Sequence, residues 1–238
     1  MKTKLLFIIS IFALSYSTVS AQTQTNTKKK NQLEFSTGYN SGSLKNLTFA
    51  PVSRYDYNGL NHRLKYVRTS KSENLFELQL DYLNSELKSD LIPILNADYS
   101  KIVLNFSYLK QVYNKNKFAI HVGLQSQTNV SSYIQWQAFD FQQKLGIVGR
   151  FTFLVDEKQS LSSKLTIPFV MWRASSFDEN FYSLNSFQNV LWNTEYKYTL
   201  SNHFDVKVNY NFNYARLQIS NAYRELQHQL SLGINYKF

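Results

Sequence analysis

The sequence predicts an all-β chain of ten antiparallel strands closed into a barrel. Three observations lead there. The last segment alternates: Leu226, His228, Leu230, Leu232, Ile234, Tyr236 and Phe238 share one face, and Gln227, Gln229, Ser231, Gly233, Asn235 and Lys237 share the other. A strand turns successive side chains to opposite faces, so this segment has one nearly apolar side and one polar side. The composition agrees, because 16% of the residues are aromatic while mean hydropathy stays negative at −0.36. The same alternation recurs along the chain, with connections that alternate between short and long.

The strands follow in order. The first begins at Gln32, with Leu33, Phe35, Thr37 and Tyr39 against Glu34, Ser36 and Gly38. The second spans 60–69 and sets Leu60, His62, Leu64, Tyr66 and Arg68 against Asn61, Arg63, Lys65 and Val67. The third, 75–83, opposes Phe76, Leu78, Leu80 and Tyr82 to Glu77, Gln79 and Asp81. The fourth, 99–113, carries Ile102, Leu104, Phe106, Tyr108 and Val112 on its apolar face, and the fifth, 118–127, carries Phe118, Ile120, Val122 and Leu124. The sixth, 138–154, places Phe139, Phe141, Leu145, Ile147, Phe151 and Phe153 outward and Asp140, Lys144 and Arg150 inward. The seventh, 161–172, has Leu161, Leu165, Ile167, Phe169 and Met171 outward. The eighth, 184–200, has Val190, Trp192, Tyr196, Tyr198 and Leu200 outward and Glu195 inward; the ninth, 204–214, sets Phe204, Val206, Val208, Tyr210 and Phe212 against Asp205, Lys207, Asn209 and Asn211. The apolar set of each strand is long enough to cross a bilayer at a tilt of roughly 45°.

The N-terminus fits a secreted chain. Lys2 and Lys4 precede an apolar run from Leu5 to Leu14, and Val19-Ser20-Ala21 offers compact residues for cleavage before Gln22. Residues 1–21 are therefore expected to be a signal peptide, 22–31 a flexible periplasmic tail containing Lys28-Lys29-Lys30, and 32–238 the barrel. The chain has no cysteine, which excludes disulfides, thiolate metal sites, thiol nucleophiles and a lipid-anchored form. The formal charge of +10 falls to +8 without Lys2 and Lys4. Behind a signal peptide, that basicity points to lipopolysaccharide phosphate or an acidic ligand and away from nucleic acid.

A signal peptide, alternating strands and a C-terminal aromatic residue together resemble a bacterial outer-membrane β-barrel protein. The resemblance implies the outer membrane of a Gram-negative bacterium, short periplasmic turns and longer outer loops. It also implies that Tyr236 and Phe238 belong to the signal read by the barrel-assembly machinery. Outer-membrane lipids, lipopolysaccharide and that machinery are the implied partners, with another membrane or surface protein as a further class. The alternative is a soluble barrel or sandwich with its apolar face inward. The signal peptide, the terminal Phe238 and a polar face rich in Asn, Gln, Ser and Gly oppose it.

Ten strands leave a narrow interior. Arg63, Glu77, Asp81, Asp140, Lys144, Arg150 and Glu195 are expected to form an ionic network that fills it, since confined charges gain by pairing. Function is then expected in the outer loops: Phe49, Tyr55 and Tyr57 in the segment 40–58, and Leu91, Ile92 and Ile94 in the segment 84–97. The apolar stretch Leu91–Leu95 reads either as a lid over the mouth or as a contact site.

Enzymes of this membrane include lipid-acting types that use His with Ser, and a ten-strand protease class with Asp and His near the outer rim. This chain has four His, no adjacent Asp-His pair and no catalytic constellation, although His62 and His228 lie where a lipid-acting site would sit. No cofactor or metal site is expected. Asp178-Glu179 reads as a solvated loop tip. The order of expectation is a binding, assembly or structural barrel with a filled lumen, then a narrow channel or transporter for small polar solutes, then a lipid-acting enzyme.

Overall fold

The computed structural model describes residues 30–47, 54–90, 92–133, 138–175, 179–218 and 223–238. The expected signal peptide and most of the expected tail lie outside them, and so do Phe49, Leu91, Phe177 and Asp178. The strands are β1 (Asn31–Asn46), β2 (Tyr55–Thr69), β3 (Leu75–Lys88), β4 (Ala97–Lys115), β5 (Phe118–Tyr133), β6 (Ala138–Leu154), β7 (Gln159–Ser175), β8 (Glu179–Ser183), β9 (Phe187–Thr199), β10 (Phe204–Leu217) and β11 (Tyr223–Lys237).

Every neighbour in the sheet is antiparallel, and β1 pairs with both β2 and β11, so the sheet closes on itself. Ten strands make the barrel. The short β8 pairs only with the upper part of β7 and extends the wall where β9 leaves it. At the seam Asn31 and Phe238 exchange backbone hydrogen bonds at 3.0 and 3.2 Å. Asn31, expected at the end of the tail, is thus already in the wall.

The short turns fall where the sequence puts them: 70–74, 116–117, 155–158 and 200–203. Two use a left-handed residue, Glu73 at φ 59° and Asn116 at φ 56°. Asn tolerates this region well, which suits the two-residue hairpin between Lys115 and Phe118.

The outward faces also fall where alternation puts them. Phe35, Leu64, Leu104, Leu124, Ile147, Ile167, Leu232 and Ile234 are all exposed and apolar. A continuous belt of this kind is stable only against lipid.

Two departures matter. First, the wall is taller than the apolar pattern suggests. Residues 40–46 and 55–58 lie in the ladder, as do 84–88, 128–133 and 173–175. Above the belt the polarity of the two faces inverts. On β1, Ser41, Ser43 and Lys45 turn outward while Leu44 turns in; on β3, Asn84, Glu86 and Lys88 turn outward while Leu83 and Leu87 turn in.

Second, the phase of β7 shifts. The register with β6 skips a residue between Pro168 and Val170, opposite Gly146 and Leu145. Pro168 has no N–H to give, and it sits where β7 has lost β9 at Thr166 and not yet met β8 at Val170. After the bulge Met171, expected outward, points inward and is 2% exposed.

Candidate functional site

The inward faces converge on the lumen, which is filled in layers. The lowest ionic layer lies toward the short turns. Lys237 and Asn235 hold Asp205 at 2.7 and 2.8 Å. Above it, Glu77 accepts from Arg150 and Lys164, both at 2.6 Å, with Lys65 at 3.6 Å. Glu195 lies 3.2 Å from Lys207, 3.7 Å from Arg150 and 3.8 Å from Lys65. Lys207 also donates to Glu34 at 2.8 Å. Four cations from β2, β6, β7 and β10 therefore meet three carboxylates from β1, β3 and β9, so the cluster ties most of the wall across the bore. Attraction between such groups offsets the cost of taking them out of water only when each is paired.

Arg63 and Asp81 pair next, at 2.6 Å, with Gln79 donating to Asp81 at 2.6 Å. Around them lies a cavity of about 110 Å³ lined by amides, among them Asn61, Asn105, Gln127, Asn129, Asn211 and Gln229. A wider vestibule of about 280 Å³, lined by residues including Glu73, His121, Lys197 and Lys207, opens toward the short-turn end.

Higher still, Glu225 accepts from Lys101 at 2.6 Å, from the Tyr223 hydroxyl at 2.9 Å and from the Tyr57 hydroxyl at 3.0 Å. Asp140 accepts from Arg173 at 2.8 Å and from Asn46 at 2.9 Å. The Arg173 guanidinium also stands 5.0 Å over the Tyr223 ring. Above this lies an apolar cap of Leu44, Tyr55, Leu87, Tyr99, Tyr133, Phe187 and Leu217. Tyr57 and Tyr99 pack at 5.5 Å between ring centroids. Gly42, directly across from Tyr57, makes room for it: a Cβ there would lie 2.6 Å from the ring.

Of the residues singled out in the sequence, Arg63 and Asp81 meet each other, Glu77 and Glu195 share Arg150, and Asp140 lies higher with Arg173. Lys144 departs from the expected network. It is 1% exposed, and among the described residues its Nζ has no hydrogen-bond partner. Tyr55 and Tyr57, expected in an outer loop, are strand residues buried at 0% and 2% exposure. Ile92 and Ile94 remain at the surface, Ile92 before and Ile94 within the 3₁₀ turn Pro93–Leu95, and Ile94 is 86% exposed. Tyr236 and Phe238 stack at 5.7 Å on the outside of the seam, beside Phe204.

Lys101, Arg173 and Tyr223 escape the sequence reading. The usable signal is an apolar residue directly following an outward one, as in Tyr82-Leu83, which marks the level where the faces exchange roles.

The four histidines are separate. His62 contacts the Thr37 hydroxyl at 3.1 Å, and His228 the Tyr210 hydroxyl at 2.8 Å, both on the lipid-facing side. His121 Nε2 lies 3.1 Å from the Glu73 carbonyl, and His203 stacks on Tyr236. Among the described residues no three His, Asp or Glu side chains are grouped to hold a metal.

No protein-family model matches the sequence, and no curated protein sequence matches it. Solved structures do. The outer-membrane protease OmpT from Escherichia coli is similar over 93% of this chain and 99% of its own, with a TM-score of 0.58 at 10% identity. The beta domain of the Bordetella autotransporter BrkA is similar over 88% of this chain and 100% of its own, with a TM-score of 0.52 at 8% identity. At these identities the likeness concerns the fold. The chain is a closed ten-stranded antiparallel barrel of the bacterial outer-membrane type.

Proposed function

We propose that this protein is a closed barrel of the outer membrane that acts through its outer rim as a binding, assembly or structural component, and does not pass solutes. The observation that carries this reading is occlusion of the bore at two levels, by the cluster around Glu77 and Glu195 and by the cap around Tyr55, Tyr99 and Tyr133. Purified full-length mature protein in planar bilayers is expected to give no steady current. A steady open-channel current from the unaltered protein would put the transporter first. That second reading, a narrow conduit for small polar solutes, draws support from the amide-lined cavity and the vestibule below it. It requires both the cap and the charged cluster below it to open.

A lipid-acting enzyme ranks third. His62 and His228 face lipid, and among the described residues the hydrogen-bond contacts of both are with hydroxyls, not carboxylates. Release of fatty acid or phosphate from defined lipids by the purified protein would raise it.

The expected partners are lipopolysaccharide and the barrel-assembly machinery. For the latter, deleting Phe238 removes the backbone partner of Asn31 at the end of the seam ladder and the ring stacked on Tyr236. It is expected to lower the heat-modifiable folded form in outer-membrane fractions. Normal yield from the truncated chain would remove the C-terminal residue from the assembly signal.

A further inference from the structure

Directly above the apolar belt, the outer surface of the seam carries three cations side by side. Lys45 of β1 is the register partner of Arg224 of β11, and Arg224 is the register partner of Arg216 of β10. All three turn outward, because their chain neighbours Leu44, Asn46, Tyr223, Glu225, Ala215 and Leu217 are buried in the lumen. Like charges placed directly across a ladder repel, so such a row is unfavourable unless something neutralises it.

The adjoining surface solves the same problem internally. Arg54 lies 3.1 Å from Asp56, and Lys88 lies 3.2 Å from Glu86. Among the described residues Lys45, Arg216 and Arg224 make no ion pair. The segments joining these strands, Leu47 to Ser53 and Gln218 to Ala222, contain no Asp or Glu.

We propose that Lys45, Arg224 and Arg216 form a binding site for the phosphate groups of an outer-leaflet glycolipid. The level of the row favours a lipid-borne phosphate over a free one. Immediately below it Leu226 faces Tyr214, then His228 faces Phe212, then Leu230 faces Tyr210, all on the outer surface. A phosphorylated headgroup on the row would therefore lay its acyl chains along an apolar track on β10 and β11. Guanidinium groups suit the phosphate because they offer paired donors, and each cation adds attraction near an anionic surface. Bound there, the lipid would bridge β1, β11 and β10 and so brace the closure of the barrel.

The inference rests on the reading of the outer rim as the working surface. It is independent of whether the bore conducts, so a bilayer current and a failure to bind lipid are separate results. The test folds the full mature chain into phosphatidylcholine vesicles and measures retention of bis-phosphorylated lipid A. Dephosphorylated lipid A and phosphatidylglycerol serve as parallel probes. Unaltered protein is expected to retain the phosphorylated form and to melt at a higher temperature in its presence. The other two lipids are expected to give neither effect. Arg216→Gln with Arg224→Gln is expected to weaken retention roughly thirtyfold, at the two cations' combined contribution near an anionic surface. Arg54→Gln is expected to leave it unchanged. Equal retention of dephosphorylated lipid A, or of phosphatidylglycerol, overturns the proposal without any substitution, and so does full retention by the double variant.

Discussion

The lower and upper parts of the lumen are filled by the same inward-facing positions in opposite ways. Around Glu77 and Glu195 the bore is closed by charge: Lys65, Arg150, Lys164 and Lys207 converge on carboxylates from several strands. Around Tyr55, Tyr99 and Tyr133 it is closed by packed rings and by Leu44, Leu87, Phe187 and Leu217. The outer face explains the difference. At the level of the belt it meets lipid and must be apolar, so polar residues gather inside. Above the belt it meets water, and the wall behaves as a soluble barrel with its apolar side turned in. The change of solvent along each strand, not a change of fold, moves the apolar residues from one face to the other.

The largest expected effect breaks the charged region. Glu77→Gln removes the carboxylate shared by Lys65, Arg150 and Lys164, leaving Lys164 without its ion pair and the other two with Glu195 alone, at a cost of about 3–5 kcal/mol. Urea titration of folding into lipid vesicles would measure it. A loss well below that range would mean that water enters the layer and screens it.

The next test sharpens the contrast between the two faces at one level. Leu104 is 41% exposed on the belt, whereas Asn105 lines the central cavity. Leu104→Arg is expected to cost about 2–4 kcal/mol near the bilayer midplane, and Asn105→Arg less, because the lumen offers polar partners. The same vesicle titration reads both. A larger loss for Asn105→Arg would invert the assignment of faces.

The smallest effect has the opposite sign to the first. Lys144 is buried near the upper layer without a hydrogen-bond partner among the described residues. Lys144→Met retains most of the volume and removes an unpaired buried cation, so stability is expected to hold or rise by about 1 kcal/mol. Measured destabilisation would show that the ammonium has a partner in the membrane that side-chain geometry alone does not reveal.

Much of this molecule was legible in the sequence. Period-two alternation assigned the lipid face of nearly every strand, because at the level of the belt the apolar side must point out. Polar clusters placed the four short turns, because a two- to five-residue connection tolerates little else. The inward positions of Arg63, Glu77, Asp81, Asp140, Arg150 and Glu195 followed from the same alternation.

What the sequence could not give were the partners. Arg150 lies 73 residues from Glu77, and Tyr57 lies 168 from Glu225; only closure of the sheet and the stagger of its strands bring them together. The height of the wall was hidden for a related reason. Tyr55, Leu87 and Tyr133 break the outward apolar pattern, so they look like loop residues until the inside of the barrel is seen to need them. The Pro168 bulge likewise displaced Met171, since phase along a strand survives only as long as the register does. Alternation is a local property of the backbone and can be read one strand at a time. Which charge meets which, and where the solvent outside the wall changes from lipid to water, are properties of the closed barrel, and only the tertiary structure decides them.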